Sequence, residues 1–233
     1  MAQADWERLT LNTIDESDIS QGISTDASFS PPHGSTCFGF HVLSPVTGVA
    51  GYVTSLADYG PITNSKGGTV IACMRKYVKN RGYAPVIFFV NGKDVSSAKG
   101  YILGLSEGYP YKIVLRKGLL IGGLDETSDG LLGASEASYD DNDWHNLLLV
   151  VTVNLHGDVV VRVRKDADPP TPTGPSWSAV NGIDDVIDDV LGAVTGDLPI
   201  TGDFYAGFGH YNSGESGRLS LFDYFRVSRQ TSP

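Results

Sequence analysis

Residues 147–164 read LLLVVTVNLHGDVVVRVR, and this stretch decides the fold class of the chain. Its first half, Leu147–Leu155, is apolar at nearly every position, which is typical of a central strand covered on both faces. Its second half, Val159–Arg164, alternates between an apolar side and a side that carries arginines, as a half-exposed strand does. The tripeptide His156-Gly157-Asp158 between the halves predicts a hairpin turn.

Apolar or alternating runs of the same kind recur along the chain and predict an all-β fold. With 233 residues, 41% of them hydrophobic and 28 of them glycine, the chain has enough apolar side chain for one sizeable core built from short strands and tight turns. The other predicted strands are Cys37–Leu43, Thr69–Met74, Val86–Asn91, Tyr101–Leu105, Lys112–Leu115, Phe204–Gly209 and Leu219–Val227.

The chain is predicted to be one domain over residues 29–233, preceded by an N-terminal arm over residues 1–28. A proline-rich excursion over residues 166–203 interrupts the strand pattern. Inside it, apolar residues spaced three and four apart predict a short amphipathic helix over residues 183–191. The apolar residues of that stripe are Ile183, Val186, Ile187, Val190 and Leu191.

The composition disfavours nucleic acid and membrane partners. The net charge is −10, so phosphate backbones and anionic lipid would repel the chain. The longest apolar run, Leu147–Val153, is far shorter than a membrane span. Cys37 and Cys73 lie in strand-like apolar runs and are predicted to be buried thiols, which fits a protein made and used in a reducing cytosol.

Two motifs suggest chemistry. Gly104-Leu-Ser-Glu-Gly108 matches the G-x-S-x-G nucleophile elbow, but a β-rich segment rather than a helix follows, so a hairpin turn is predicted. Asp125, Asp129 and Glu136 have the spacing of oxygen ligands in a calcium loop, with Gly130 at the required glycine position. The flanks show no helical stripe, which leaves a calcium-binding turn or a polar hairpin connection as alternatives.

Asp143-Trp144-His145, followed by an apolar strand, a turn and a second apolar strand, resembles the signature of laminin-G-like and concanavalin-like jelly-roll domains. The closing stretch Asp223–Ser228 is similar to the ending of the last strand in that family. The resemblance implies a sandwich of two antiparallel sheets, here with one short helical insertion. Asp223 falls among apolar neighbours in its strand and is expected to need a partner.

The resemblance leaves two functions open, because the family includes lectins, receptor-binding modules, glucanases and bacteriophage virion proteins. The Glu-x-Asp-x-Glu strand of the glucanases is missing, so we expect no catalysis. The first expectation is an assembly protein of a tailed-phage particle, on the capsid, tail or baseplate, located in the virion after synthesis in the host cytoplasm. It would bind other virion proteins and copies of itself, and the opposite charges of residues 66–117 and 118–161 would orient such copies. The candidate contact residues are Trp6, Trp177, Ile183, Val186, Ile187 and Val190.

The alternative is a lectin-like module that binds a host-surface glycan. Aromatic rings that face solvent would stack on the sugar, and the candidates are Trp177, Tyr205, Tyr211 and Tyr139. Calcium, held by the carboxylates of the predicted loop, is the one cofactor that this alternative suggests.

Overall fold

The valine-rich stretch forms an antiparallel pair of strands in the middle of a sheet. Strand β10, His145–Val153, pairs with β11, Val159–Lys165, from Leu147 opposite Lys165 to Val153 opposite Val159. On its other side β10 pairs with β5, Lys66–Tyr77, so the prediction of a central strand is confirmed. The predicted turn at residues 156–158 lies outside the described residues.

The computed structural model consists of two seven-stranded antiparallel sheets. The structure describes residues 6–9, 14–15, 17–55, 66–77, 82–139, 142–153, 159–165, 177–184, 187–189 and 204–231. The first sheet has the order β1-β4-β13-β6-β7-β8-β9, and the second has the order β12-β11-β10-β5-β14-β3-β2. The remaining strands are β1 Glu7–Arg8, β2 Ile19–Ser24, β3 Cys37–Val42, β4 Thr47–Ser55, β6 Tyr83–Val90, β7 Lys99–Leu105, β8 Ile113–Leu119, β9 Leu131–Ala134, β12 Ile187–Asp189, β13 Tyr205–Ser213 and β14 Arg218–Thr231.

The core lies between the two sheets and is rich in aromatic rings. Phe40 and Phe222 from the second sheet meet Phe208 from the first, with ring centroids between 5.1 and 6.0 Å apart. Edge-to-face contacts of this kind add to the free energy that burial of the rings already contributes. The all-β class and the two antiparallel sheets predicted from the sequence are confirmed.

The described part of the N-terminal segment belongs to the sandwich. Strand β1 pairs with β4 in the first sheet, and β2 pairs with β3 in the second. The half-buried ring of Trp6 packs edge-on against Phe208 at 5.6 Å and Phe225 at 4.9 Å. The Trp6 ring thus already contacts the core of its own chain, and its role as a contact for another subunit stays a prediction.

The helix predicted over residues 183–191 is wrong in the part of this segment that the structure describes. Asn181 and Gly182 form a turn, with Gly182 at φ 91°, and Ile187–Asp189 forms strand β12 on the edge strand β11. Ile183 and Ile187 are each 6% exposed and join the core, so they are not surface contact residues. The β-branched residues and the open edge of β11 favour a strand over an isolated short helix. Val186 and Val190 lie outside the described residues.

Helical structure in the described residues is confined to the 3-10 turn Ala27–Phe29. None of the described segments forms a helix with the length and hydropathy needed to cross a membrane.

A β-bulge in β14 changes which residues face the core. The pairing of β14 with β5 shifts between Phe222 and Tyr224, which leaves Asp223 out of the ladder. Strict alternation predicts that Leu221 and Phe225 share a face. Instead Phe225 joins Phe222 in the core, while Leu221 lies on the opposite face with Tyr224. The extra residue of the bulge reverses the alternation from that point onwards.

Candidate functional site

The outer face of the first sheet, which points away from the second sheet, is lined by aliphatic and aromatic side chains. Phe88 and Val90 of β6 and Ile102 of β7 are buried on this face, although it lies outside the sandwich core. The side chains that cover them come from the segments 91–98 and 119–124. The chain itself thus covers the part of this face that these side chains occupy.

Polar contacts hold the covering segments in place. The Arg116 side chain is buried, and its Nη2 donates to the carbonyl oxygens of Leu119 at 2.6 Å and Leu120 at 3.3 Å. Burial lowers the pKa of Arg116 to about 10. The Leu120 N–H in turn donates to the Ala98 carbonyl at 2.8 Å, which joins the two segments. A ligand would have to break these bonds to reach the outer face.

At one end of the sandwich, the connection 106–112 between β7 and β8 presents an exposed ring. Ser106 Oγ donates to the Gly108 carbonyl at 3.1 Å and accepts from the Lys112 N–H at 2.9 Å, so these bonds close a turn. The antiparallel strand β8 follows, and the prediction that the G-x-S-x-G match is a hairpin turn is confirmed. Tyr109, at the tip of the turn, is 58% exposed.

The Tyr109 ring rests on buried groups. It packs edge-on against Tyr111, with 5.8 Å between ring centroids and an interplanar angle of 90°. Beneath Tyr111 lies Lys76 of β5, whose Nζ is 3.8 Å from the Tyr111 centroid and donates to the Ser106 carbonyl at 2.7 Å. Burial lowers the pKa of Lys76 to about 7. A residue of the second sheet therefore fixes the connection that carries Tyr109.

Carboxylates surround the base of this turn. Asp125 Oδ2 approaches Gly108 so closely that a Cβ on that glycine would lie 2.6 Å from it. The Asp125 Oδ1 accepts from the Glu126 N–H at 2.7 Å, and Glu107 Oε1 accepts from the Leu124 N–H at 3.0 Å. Glu126 forms an ion pair with Lys112 at 2.6 Å. This end therefore places hydrogen-bond acceptors beside an exposed aromatic ring.

A buried histidine lies deeper in the sandwich, near Lys76. His210 of β13 is fully buried, stacks on Tyr83 at 5.4 Å, and its Nδ1 is 2.8 Å from Ser220 Oγ. Burial, with a smaller effect from the charge of Lys76, lowers the pKa of His210 to about 3. The ring is neutral at physiological pH, and its position in the core assigns it to packing between the sheets.

The three carboxylates of the predicted calcium loop do not converge. Asp125 and Asp129 lie in the connection before β9, and Glu136 follows that strand, with its N–H donating to the Asn181 carbonyl at 2.8 Å. In the part of the chain that the structure describes, a single group of three ligand-type side chains lies within 4.8 Å, and it contains none of these residues. Calcium binding by the set of three stays a prediction without a shared site.

The structure separates the predicted sugar-binding aromatics. Tyr211 is 9% exposed on the outer face of the first sheet, and Tyr139 is equally buried against His145, so neither offers an open ring. Trp177 and Tyr205 are half-buried and stay candidates. Tyr109 was missed because it lies in a short turn, where its only sequence signal is a tyrosine beside Pro110 between two strands.

Several solved structures share this arrangement of sheets. The Emp47p carbohydrate recognition domain is 8% identical with a TM-score of 0.51, and the alignment covers 100% of both chains. The cellulose-induced protein Cip1 is 11% identical with a TM-score of 0.55, over 98% of this chain and 93% of that one. The chain has a concanavalin-like jelly-roll fold. The PL-14 alginate lyase from Aplysia kurodai, 12% identical with a TM-score of 0.50 over 92% of this chain and 88% of its own, shows that enzymes share the jelly roll. No family model matches the sequence, and no curated protein matches it significantly.

Proposed function

We propose that this jelly-roll chain is a non-catalytic, lectin-like module that binds neutral glycans at the end of the sandwich around Tyr109. The observation that carries the proposal is a 58% exposed tyrosine ring held edge-on by a buried neighbour, Tyr111. An exposed aromatic ring that is held in one orientation is suited to stacking against the apolar face of a sugar. The carbohydrate recognition domain among the similar structures supports the same class of ligand.

The chemistry of this end suits a sugar. The apolar face of a pyranose ring packs against an aromatic ring, while its hydroxyl groups donate to carboxylates. Asp125 and Glu107 supply such acceptors beside the turn, and both are already oriented by backbone N–H groups. The net charge of −10 disfavours polyanionic chains, which is why we propose neutral glycans.

The absence of catalysis is part of the proposal. The outer face of the first sheet is filled by apolar side chains such as Phe88, Val90 and Ile102. A glycosidase needs two carboxylates that flank the scissile bond of a bound substrate. The carboxylates near Tyr109 lie at the outer end of the sandwich. There a glycan can be held by its terminal residue, without a scissile bond placed between two carboxylates.

The decisive experiment is a glycan array followed by calorimetry with the wild type and Tyr109→Ala. The alanine variant should bind the selected neutral glycan at least about tenfold more weakly, since it loses a stacked ring worth about 1.4 kcal/mol or more. Tyr109→Phe should bind as the wild type does. Leu43→Ala, which truncates another exposed hydrophobic residue (51%), is the matched control and should change nothing.

Several results would overturn the proposal. They are the absence of any bound glycan on the array, unchanged affinity in Tyr109→Ala, or release of cleaved sugar on prolonged incubation. Repeating the calorimetry with a chelator tests the calcium prediction for Asp125, Asp129 and Glu136. The phage assembly role and the virion location stay predictions from the sequence. A defined oligomer in solution that binds no glycan would favour them over the proposal made here.

A further inference from the structure

A histidine, a cysteine and an aspartate meet on the outer face of the second sheet. His33, Cys73 and Asp223 place ligand-type atoms within 4.8 Å of one another. They come from three separate parts of the chain: the segment before β3, the middle of β5, and the bulge of β14. The fold, not local sequence, brings them together.

The Asp223 carboxylate is buried and only half satisfied. Its side chain is 0% exposed, and Oδ2 accepts from the His33 backbone N–H at 3.0 Å and lies 2.7 Å from His33 Nδ1. The second oxygen, Oδ1, is buried and has no hydrogen-bond partner among the described residues. A buried carboxylate oxygen without a partner costs free energy, so it points to a ligand that would satisfy it.

We propose that His33, Cys73 and Asp223 form a Zn²⁺ site. Imidazole, thiolate and carboxylate are the ligand types that zinc combines in proteins, and the thiolate selects against calcium and magnesium. With a neutral imidazole, the thiolate and the carboxylate carry one negative charge each. Together they cancel the two positive charges of the ion, so the buried site is neutral overall. The proposal does not depend on the glycan-binding function.

The geometry needs a small adjustment for an ion to enter. Ligand atoms around a tetrahedral zinc lie about 3.3–3.6 Å apart, given bond lengths of about 2.0–2.3 Å. The contact between His33 Nδ1 and Asp223 Oδ2, at 2.7 Å, must therefore open slightly as the unpartnered Oδ1 turns towards the ion. The His33 side chain is 27% exposed and stands on a surface segment, so it can move.

The segment that carries His33 is anchored close by. The Phe29 carbonyl accepts from Arg75 Nη1 at 2.7 Å and from Trp144 Nε1 at 3.0 Å. The His33 ring also packs edge-on against Tyr224 at 5.1 Å. These contacts keep the imidazole near the other two ligands. The open side of His33 leaves the fourth coordination position to water.

The test uses the full chain with Co²⁺ as a spectroscopic probe and Zn²⁺ in calorimetry. The wild type should bind one Co²⁺ with a thiolate-to-cobalt charge-transfer band, and Zn²⁺ should displace it. His33→Ala should weaken Zn²⁺ binding by more than about 100-fold, because loss of a partner outside the coordination sphere alone costs about 10–100-fold. Cys73→Ser should abolish the charge-transfer band.

Cys37→Ser is the matched control. Cys37 is a buried thiol in the same apolar cluster as Cys73 but is not in the ligand group, so this variant should keep both the band and the affinity. Should Cys73→Ser unfold, His33→Ala decides the matter, since that side chain is partly exposed. The absence of a charge-transfer band in the wild type, wild-type affinity in His33→Ala, or loss of the band in Cys37→Ser would each overturn the proposal.

Discussion

Replacing Lys76 with methionine should stabilise the protein at neutral pH and destabilise it at alkaline pH. In the folded chain the pKa of Lys76 is about 7, against an ordinary value of 10.5, because burial disfavours the charged amine. Between these two values the unfolded chain carries one more proton than the folded chain. The free energy of unfolding of the wild type must therefore rise with pH through this window.

The size of the effect follows from the shift. The folded and unfolded pKa values differ by about 3.5, and each pKa unit corresponds to about 1.36 kcal/mol. The free energy of unfolding of the wild type therefore rises by about 5 kcal/mol over the whole window. Roughly 3–4 kcal/mol of this falls between pH 7 and pH 10. Methionine removes the titration but also loses the hydrogen bond from Nζ to the Ser106 carbonyl, worth about 1 kcal/mol. The sign of the difference between variant and wild type should therefore change within the window.

The assay is urea unfolding of the wild type and Lys76→Met at one-unit steps from pH 6 to pH 10. Only the difference between the two proteins is read, since other groups titrate in both. Lys99→Met, at an exposed position of β7, is the control and should show no pH-dependent difference. A difference for Lys76→Met that stays constant within about 1 kcal/mol would refute the assignment of a neutral buried amine.

Two further changes test the core and the sheet. His210→Gln should flatten the acid limb of the stability curve. The pKa of His210 falls from 6.5 to about 3 on folding, so the free energy of unfolding of the wild type falls by up to about 5 kcal/mol as the pH drops through that range. If the acid slope measured by urea unfolding were the same in the variant, the neutral buried ring would be contradicted. Gly100→Ala should cost about 3 kcal/mol or more, because its Cβ would lie 1.7 Å from the Phe89 carbonyl oxygen. The control is Gly22→Ala, whose Cβ would meet nothing within 4 Å, and its free energy of unfolding should stay within about 0.5 kcal/mol of the wild type. Both variants are measured by thermal unfolding, and equal losses of stability in the two would contradict the packing argument.

Strands with strong side-chain patterns could be predicted from the sequence, and strands with weak patterns could not. The pairing of β10 with β11 follows from continuous and alternating valines. Strand β4 was missed because glycines interrupt its pattern. One of them, Gly51, is required by the fold, since a Cβ there would lie 2.6 Å from the Phe208 carbonyl oxygen. A residue that looks like a turn signal is here a site of close strand approach.

The predicted helix failed for a different reason. The spacing of four residues between Ile183 and Ile187 also fits a turn followed by an edge strand that buries both residues. The choice between a helix and an edge strand depends on whether the edge of β11 is free to pair. That depends on the tertiary structure and cannot be read from the local sequence. The bulge at Asp223 is similar: the sequence predicts that this residue needs a partner, but not that the partner is His33, 190 positions away.

The candidate site was the part least accessible to prediction. Sequence patterns favoured aromatic residues in strands and in the proline-rich excursion, and the structure buries Tyr211 and Tyr139. Exposure of an aromatic ring depends on what covers it, and coverage is set by segments distant in sequence. The support of Tyr109 by Tyr111 and Lys76 depends on tertiary contacts that no local sequence pattern predicts.

The segments 91–98 and 119–124 cover apolar side chains on the outer face of the first sheet, so the sheet buries side chains on both of its faces. The framework of the molecule is stabilised on both sides of that sheet, so the connections at the ends can change in length and composition while the framework persists. A scaffold of this kind is suited to diversification by loop exchange. The turn that bears Tyr109 can then change in sequence without renewed optimisation of the interior.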